Sequence, residues 1–236
     1  MKKEEAKGLL AVFTDVDKDY HPEFEKWHNC EHIAERVSVP GFLAGHRYRG
    51  LGKASEFMFF YETADSKVLE SEPYLKCLNN PTPWTRESLI HLKNATRTIY
   101  TLLASAGKKL SLTAPFIFAR RFDCQRGGEQ EVIQWYREEY LPQICTLPGV
   151  YQGRVYESCL EISNIRTEER KLHGSGPEKQ RFLAVYAISS FDLVNNQAWQ
   201  EISMSTERNS KIQKKLENVK EELYWLHFTM EAPEAK

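Results

Sequence analysis

Residues 23–48 read EFEKWHNCEHIAERVSVPGFLAGHRY, and residues 131–156 read EVIQWYREEYLPQICTLPGVYQGRVY. Laid over one another at a constant offset of 108, seven of the 26 positions are identical: Glu23/Glu131, Trp27/Trp135, Glu31/Glu139, Pro40/Pro148, Gly41/Gly149, Gly45/Gly153 and Tyr48/Tyr156. Chance would give about one or two, and the shared Trp, Pro and Gly are types that mark packing and backbone geometry. The chain repeats itself. Further on the offset lengthens: Phe57–Tyr61 matches Phe182–Tyr186, and Thr98–Leu103 matches Leu223–Phe228. The extra residues fall at Glu161 to Gln180, a polar stretch with Gly174-Ser175-Gly176-Pro177 that reads as an exposed loop.

Each copy predicts the same element order. In the first, Leu9–Thr14 reads as a strand and Pro22–Val37 as a helix with Trp27, Cys30, Ala34 and Val37 on one face. Pro40-Gly41 stops that helix; strands follow over 42–49 and 56–62. Then come a helix over 66–79, a second over 84–92, and a strand over 96–103. In the second copy the strands read as 116–122, 150–158, 181–188 and 222–230, with helices over 129–144 and 192–219. This β-α-β-β-α-β order is the ferredoxin-like plan, an α+β fold. The repeats are expected at residues 8–105 and 113–231. Helices cover one sheet face in this plan, so the other needs a partner, and the sister repeat can supply it.

Composition excludes several classes. Among 236 residues, Lys+Arg is 32 and Asp+Glu 33, a net charge of −1, without the basic surplus of a nucleic-acid binder. No apolar run approaches the roughly 20 residues of a membrane-spanning helix. The charged opening, Met1 to Lys7, followed only by the short apolar run from Gly8 to Phe13, lacks the features of a secretory signal, so a cytoplasmic protein is expected. Five cysteines with no CxxC spacing suit reduced thiols.

The segment Trp27 to Arg36, then Val39-Pro40-Gly41-Phe42, then His46-Arg47-Tyr48, resembles the EthD-like family of the dimeric α/β barrel superfamily. Trp27, His32, Pro40 and Gly41 match its pattern; the second copy keeps Trp135, Pro148 and Gly149 but has Tyr140 in place of the His. The resemblance implies two tandem copies forming one intramolecular dimeric-α/β-barrel arrangement, with a homodimer through the outer surface compatible with it. It does not choose a reaction: the superfamily includes muconolactone isomerases, polyketide cyclases, cofactor-free monooxygenases, haem-containing chlorite dismutases and accessory proteins.

The residues that could carry chemistry cluster in the first copy. His28 and His32 are four apart on one helix, hence on one face, flanked by Glu31 and Glu35. His46 and Tyr48 share a strand face; Arg47 points the other way. An imidazole titrating near neutrality suits enolisation, aldol cyclisation or elimination, with Tyr or Arg holding the developing oxyanion. The expected catalytic set is His32, His28, His46 and Tyr48, with Trp84, Arg47 and Tyr61 contacting substrate. A metal would need a third ligand from His46, His21 or Asp15; the preferred reading has neither metal nor any other cofactor. The function expected is therefore a lyase, isomerase or cyclase acting without a cofactor on a small apolar or aromatic metabolite. A non-catalytic ligand-binding or accessory protein, and a metal- or haem-dependent lyase or oxygenase, are the alternatives. Tyr136, Tyr140 and Arg154 replace the three histidines in the second copy. A single working pocket is expected in the first, with the second half stripped of buried polar groups.

Overall fold

In the computed structural model, which describes residues 5–108, 111–204 and 206–233, the first strand is β1 (Gly8–Val16). It is followed by α1 (His21–Trp27), a π-helical turn over His28–His32, α2 (Ile33–Val37), β2 (Phe42–Leu51) and β3 (Phe57–Thr63). Next are α3 (Glu72–Asn79), α4 (Pro83–Leu89) and the long β4 (Leu92–Gly107). The second half runs β5 (Phe116–Cys124), α5 (Glu129–Trp135), a second π turn over Tyr136–Tyr140, α6 (Leu141–Ile144) and β6 (Val150–Ser158). It then adds α7 (Leu160–Ser163) and α8 (Glu168–His173) before β7 (Phe182–Ile188), α9 (Gln197–Met204), α10 (Glu207–Gln213) and β8 (Leu216–Glu231). The N-terminal Met1 to Glu4 lie outside the described residues.

The eight strands close into one antiparallel barrel, ordered β1-β3-β2-β8-β5-β7-β6-β4. Within each half the order is fourth, first, third, second strand; β2 against β8 and β4 against β6 are the two seams. The fold is a mixed α+β one, an eight-stranded barrel closed within one chain. Side-chain alternation along each strand decides what meets what. Leu9, Ala11, Phe13, Met58, Phe60, Leu183 and Val185 fill the barrel. Leu10, Phe59 and Tyr61 face the first half's helices, and Phe118, Ala184 and Tyr186 face the second half's.

Gly41 and Gly149 show why Pro-Gly recurs. Their φ angles are 93° and 89°, in the left-handed region, and an added Cβ would lie 2.6 Å from Val68 Cγ2 or 2.4 Å from Ser189 Oγ. Asn94 and Asn218 are a second matched pair, with φ 52° and 50° near the starts of β4 and β8. That pair, and the β-bulges after Phe13 and Arg121, put the last strands at an offset of 124. The alignment of Thr98–Leu103 on Leu223–Phe228 is thus one residue out, and Tyr100 matches Tyr224, both inside the barrel. The helix read over 192–219 also breaks: β8 already begins at Leu216.

Two buried ionic clusters bind the halves together. The Glu62 carboxylate on β3 takes hydrogen bonds from His46 Nε2 (2.9 Å), Leu112 N (2.8 Å), Arg154 Nη1 (2.6 Å) and the Ser111 hydroxyl. Burial alone would raise its pKa; the His46 bond, the Arg154 charge and the Ser111 bond hold it far below the usual carboxylate range. In the other cluster Arg121 pairs with Glu178 and Glu222 while its guanidinium lies 3.8 Å from the centre of the Phe13 ring.

Candidate functional site

The site of the first half grows from the irregular helix that follows β1. Pro22 starts it, and the π turn over His28–His32 widens one turn of the spiral. The 3.6-residue face expected from the sequence is therefore broken: Cys30 is exposed, while Phe24, Trp27, His28, Ile33 and Arg36 are buried. Trp27 anchors this stretch by donating from Nε1 to Thr85 Oγ1 (3.2 Å); Glu31 accepts from Thr82 (2.6 Å) and Thr85 (3.0 Å) on the facing α4 segment.

The widened turn sets His28 against the sheet and His32 beside it. The His28 ring lies 5.6 Å from that of His32 and 4.6 Å from that of Phe59; Trp27 covers His32 at 4.4 Å. Arg47 Nη1 approaches His28 Nδ1 at 3.4 Å, and because guanidinium can only donate, the His28 proton belongs on Nε2, 3.3 Å from the Tyr61 hydroxyl. His32 Nδ1 is enclosed and has no hydrogen-bond partner among the described residues. Burial, then the neighbouring cations (Arg47 for His28, Arg36 for His32), push both imidazoles well below the usual histidine range, so both are neutral at neutral pH. Burial pushes the Tyr61 hydroxyl far up, leaving it protonated.

These side chains line a cavity of about 60 Å³ between sheet and helices. Its outer wall is the stretch expected to be an exposed loop. Residues 160–173 form α7 and α8, which pack on β4 and bring Ile165, Thr167, Glu169, Arg170 and His173 to the cavity. The stretch looked like a loop because it is polar, but its polar groups are paired inward. Glu169 bonds Arg36, whose other nitrogen meets Glu35 at 2.8 Å. Arg170 donates to the carbonyls of Ser163 (3.1 Å), Ile165 (3.3 Å) and Ser175 (3.1 Å). His173 accepts from Ser175 N (3.1 Å), and burial together with Arg97 and Arg170 lowers its pKa to about 4. Arg97 reaches the Tyr74 hydroxyl at 3.0 Å.

The sequence-derived set divides accordingly. His28, His32 and Tyr61 line the cavity, with Arg47 behind His28. His46 and Tyr48 do not join them: their strand face points into the barrel, where His46 bonds Glu62 and Thr229 and the Tyr48 hydroxyl bonds the Leu112 carbonyl. Trp84 lies on the outer helix layer under the Lys26 ammonium (5.6 Å) and does not line the cavity. The third ligands considered for a metal are elsewhere: His21 bonds Glu56, and Asp15 bonds Glu56 N and Asn94. Instead, ligand atoms of His32, Glu35 and Glu169 lie within 4.8 Å of one another, with the Arg36 guanidinium already paired to both carboxylates. Arg36, Arg97, Glu169, Arg170 and His173 are not among the expected site residues; the one signal for them is the insertion at which the two halves of the sequence stop matching.

No protein-family model and no curated protein matches the chain. Solved structures do. An anthrone oxidase-like protein is 11% identical, with a TM-score of 0.62 over 98% of this chain and 95% of its own. A protein described as a candidate monooxygenase from Fusobacterium nucleatum subsp. nucleatum ATCC 25586 is 10% identical, with a TM-score of 0.58 over 96% and 95%. A haem-binding protein from Thermus thermophilus is 8% identical, with a TM-score of 0.50 over 95% and 92%. These likenesses concern the fold alone. They overturn one expectation: a protein of this architecture is described as binding haem, so the reading that no cofactor is involved does not stand.

Proposed function

We propose that the first-half cavity binds a small carbonyl-bearing molecule and moves a proton on it, with His32 as the acid–base group, in a lyase- or isomerase-type reaction. The observation carrying this reading is His32 Nδ1, a neutral imidazole nitrogen enclosed at a cavity with no hydrogen-bond partner among the described residues. A neutral imidazole can accept a carbon-bound proton; the protonated Tyr61 hydroxyl, oriented by His28, and the Arg97 guanidinium supply donors for the oxygen that gains charge. The cavity sets the size. At roughly 10–15 Å³ per water, its 60 Å³ corresponds to about four to six waters, hence a ligand of about that many heavy atoms. We read residues 8–105 and 113–231 as two ferredoxin-like copies of one ancestral unit, and the Trp27/His32/Pro40-Gly41 pattern as EthD-like.

Haem fits neither pocket as built. The first cavity offers His28, His32 and His173 as nitrogen donors but far too little room for a macrocycle with α7 and α8 seated. A cavity of about 360 Å³ in the second half has the room, but no histidine lines it. The test is solvent-deuterium exchange into a panel of small carbonyl compounds, monitored by NMR. His32→Ala should lose about 10²- to 10⁴-fold in exchange rate while retaining ligand binding. Exchange unchanged in His32→Ala refutes the assignment, and a Soret band on adding haem to the native protein refutes the exclusion of the macrocycle.

A further inference from the structure

We propose that the first-half cavity selects an anionic substrate, a small 2-oxo acid whose carboxylate is held by Arg97. The carbonyl of that substrate rests on the proton-transfer reading above; the carboxylate rests on the charges of the cavity wall. Among the described residues, the charged side chains lining the cavity are Arg36, Arg97, Glu169 and Arg170. The three histidines there are held neutral. Glu169 is spent on Arg36, and Arg36 is paired a second time, with Glu35. Arg170 turns its donors on protein oxygens, the carbonyls of Ser163, Ile165 and Ser175 and the Asn164 Oδ1 (3.3 Å). Arg97 is different. Among the described residues its side chain makes one hydrogen bond, from Nη2 to the Tyr74 hydroxyl, and no ion pair with a carboxylate.

The second half shows a neutralised arrangement at the same place. Arg97 on β4 stands opposite Val12 on β1; at the matching positions Glu221 on β8 stands opposite Arg120 on β5. There the guanidinium Nε and Nη2 both meet Glu221 Oε1 at 2.6 Å. The expectation of a second half stripped of buried polar groups does not hold, since Tyr136, Tyr140 and Tyr186 are fully buried. What sets the first half apart is a guanidinium whose neighbour across the ladder is an apolar Val12 in place of a charged partner, both of them on the cavity wall.

The rest of the wall is rich in donors. Ser175 N donates to His173 Nδ1, so the His173 proton sits on Nε2. Tyr61 accepts from His28 Nε2, which leaves its own proton free to donate. A cation with N–H groups to spare, among neutral donors, calls for an anionic acceptor, and the guanidinium fork matches a carboxylate. Size narrows the class. A carboxylate, a carbonyl and the carbon that carries the proton need about six heavy atoms, the upper end of what the cavity holds. Carboxylate and carbonyl are therefore close neighbours, and in a 2-oxo acid one oxygen of each lies side by side, within the span of one guanidinium. His32 Nδ1 takes a proton from C3; the C3–H electron pair forms the C2–C3 double bond, and the carbonyl pair moves onto oxygen, held by Tyr61 and Arg97. Return of a solvent-derived proton from His32 to C3 restores the oxo acid, and no co-reactant is consumed.

The test separates recognition from chemistry. Oxamate has the size and charge of pyruvate but no carbon-bound hydrogen, and oxamide is its neutral counterpart. In calorimetric titration of the full-length protein, oxamate should bind about tenfold or more tightly than oxamide. Arg97→Gln should abolish that preference and Arg97→Lys should restore part of it, with circular dichroism checking that both variants fold. His32→Ala should keep the preference. Solvent-deuterium exchange into the pyruvate methyl group, followed by proton NMR, reports proton transfer separately. Oxamate bound in an Arg97-dependent way without pyruvate exchange supports the anion site and overturns the acid–base reading. Exchange into the neutral butane-2,3-dione with no oxamate binding up to millimolar concentration overturns the anion site and leaves the acid–base reading standing. Equal binding of oxamate and oxamide, or a preference that survives Arg97→Gln, likewise overturns the proposal.

Discussion

Glu169→Gln tests whether the α7–α8 insertion is seated on the first cavity by one buried ion pair. The Glu169 and Arg36 side chains are 6% and 2% exposed, so the Gln variant strands a guanidinium with little access to water. Breaking a buried pair by neutralising one partner costs about 3–5 kcal/mol. Arg36 retains Glu35, whose side chain is 26% exposed, which places the cost near the lower end, about 3 kcal/mol. In a chain of this length each kcal/mol moves the melting temperature by roughly 2–4 °C, so a fall of about 6–12 °C is expected in scanning calorimetry. The loss should also be local. The hydrogen bonds of the barrel do not pass through Glu169, so amide exchange should accelerate over residues 160–178 and stay slow in β1, β3, β5 and β7. A melting temperature within about 2 °C of native, or acceleration spread evenly over the barrel, would refute the reasoning.

Glu62→Gln should cost about 3–5 kcal/mol, because it leaves the buried His46 and Arg154 around a neutral amide; chemical denaturation measures it, and proton-transfer activity per folded molecule should not change. Stability should fall on acidification in two stages. His28, His32 and His173 are held neutral with depressed pKa values, so below about pH 6.5 the unfolded chain binds up to three more protons, and stability drops by as much as about 1.4 kcal/mol per proton per pH unit. Below about pH 4.5 the depressed Glu62 carboxylate adds a further loss, and denaturant midpoints at half-unit pH steps resolve both stages. Trp27→Ala, a turn from His32, should cost about 3–5 kcal/mol and lower activity only through lost folded protein, which thermal melts and specific activity together distinguish from His32→Ala.

The barrel was legible because the two halves of the sequence carry matching residues in the same order. Trp27/Trp135 and Pro40-Gly41/Pro148-Gly149 are packing and backbone constraints that each half must meet, and they fix the offset of 108 through β1, the π turn and the start of β2. The register of the last strand was not legible, because β4 and β8 begin with polar residues and the matched Asn94 and Asn218 carry no hydrophobic signal. The π turn escaped for a different reason. Periodicity analysis assumes 3.6 residues per turn, so an inserted residue moved His28 and Arg36 onto the buried face and Cys30 off it. Arg36 and Glu169 are separated by 133 positions. A buried ion pair at that distance looks, in sequence, like two solvated charges.

The two pockets differ because the connections beside them differ. The β6–β7 connection emerges next to β4, across the seam from its own half, and it is long enough to fold into α7 and α8 over the first half's cavity. The symmetry-related β2–β3 connection emerges next to β8 and reaches across the same way, with Ser55 N donating to Glu222 at 3.2 Å, but it is only a short turn. The first cavity is consequently the smaller and more enclosed of the two, about 60 Å³ against about 360 Å³. The first half is also completed by the second, since the outer wall of the first cavity comes from residues 165–175. The two halves therefore hold different side chains at matching positions, neutral imidazoles at His28 and His32 and phenols at Tyr136 and Tyr140, while the barrel that supports both stays the same.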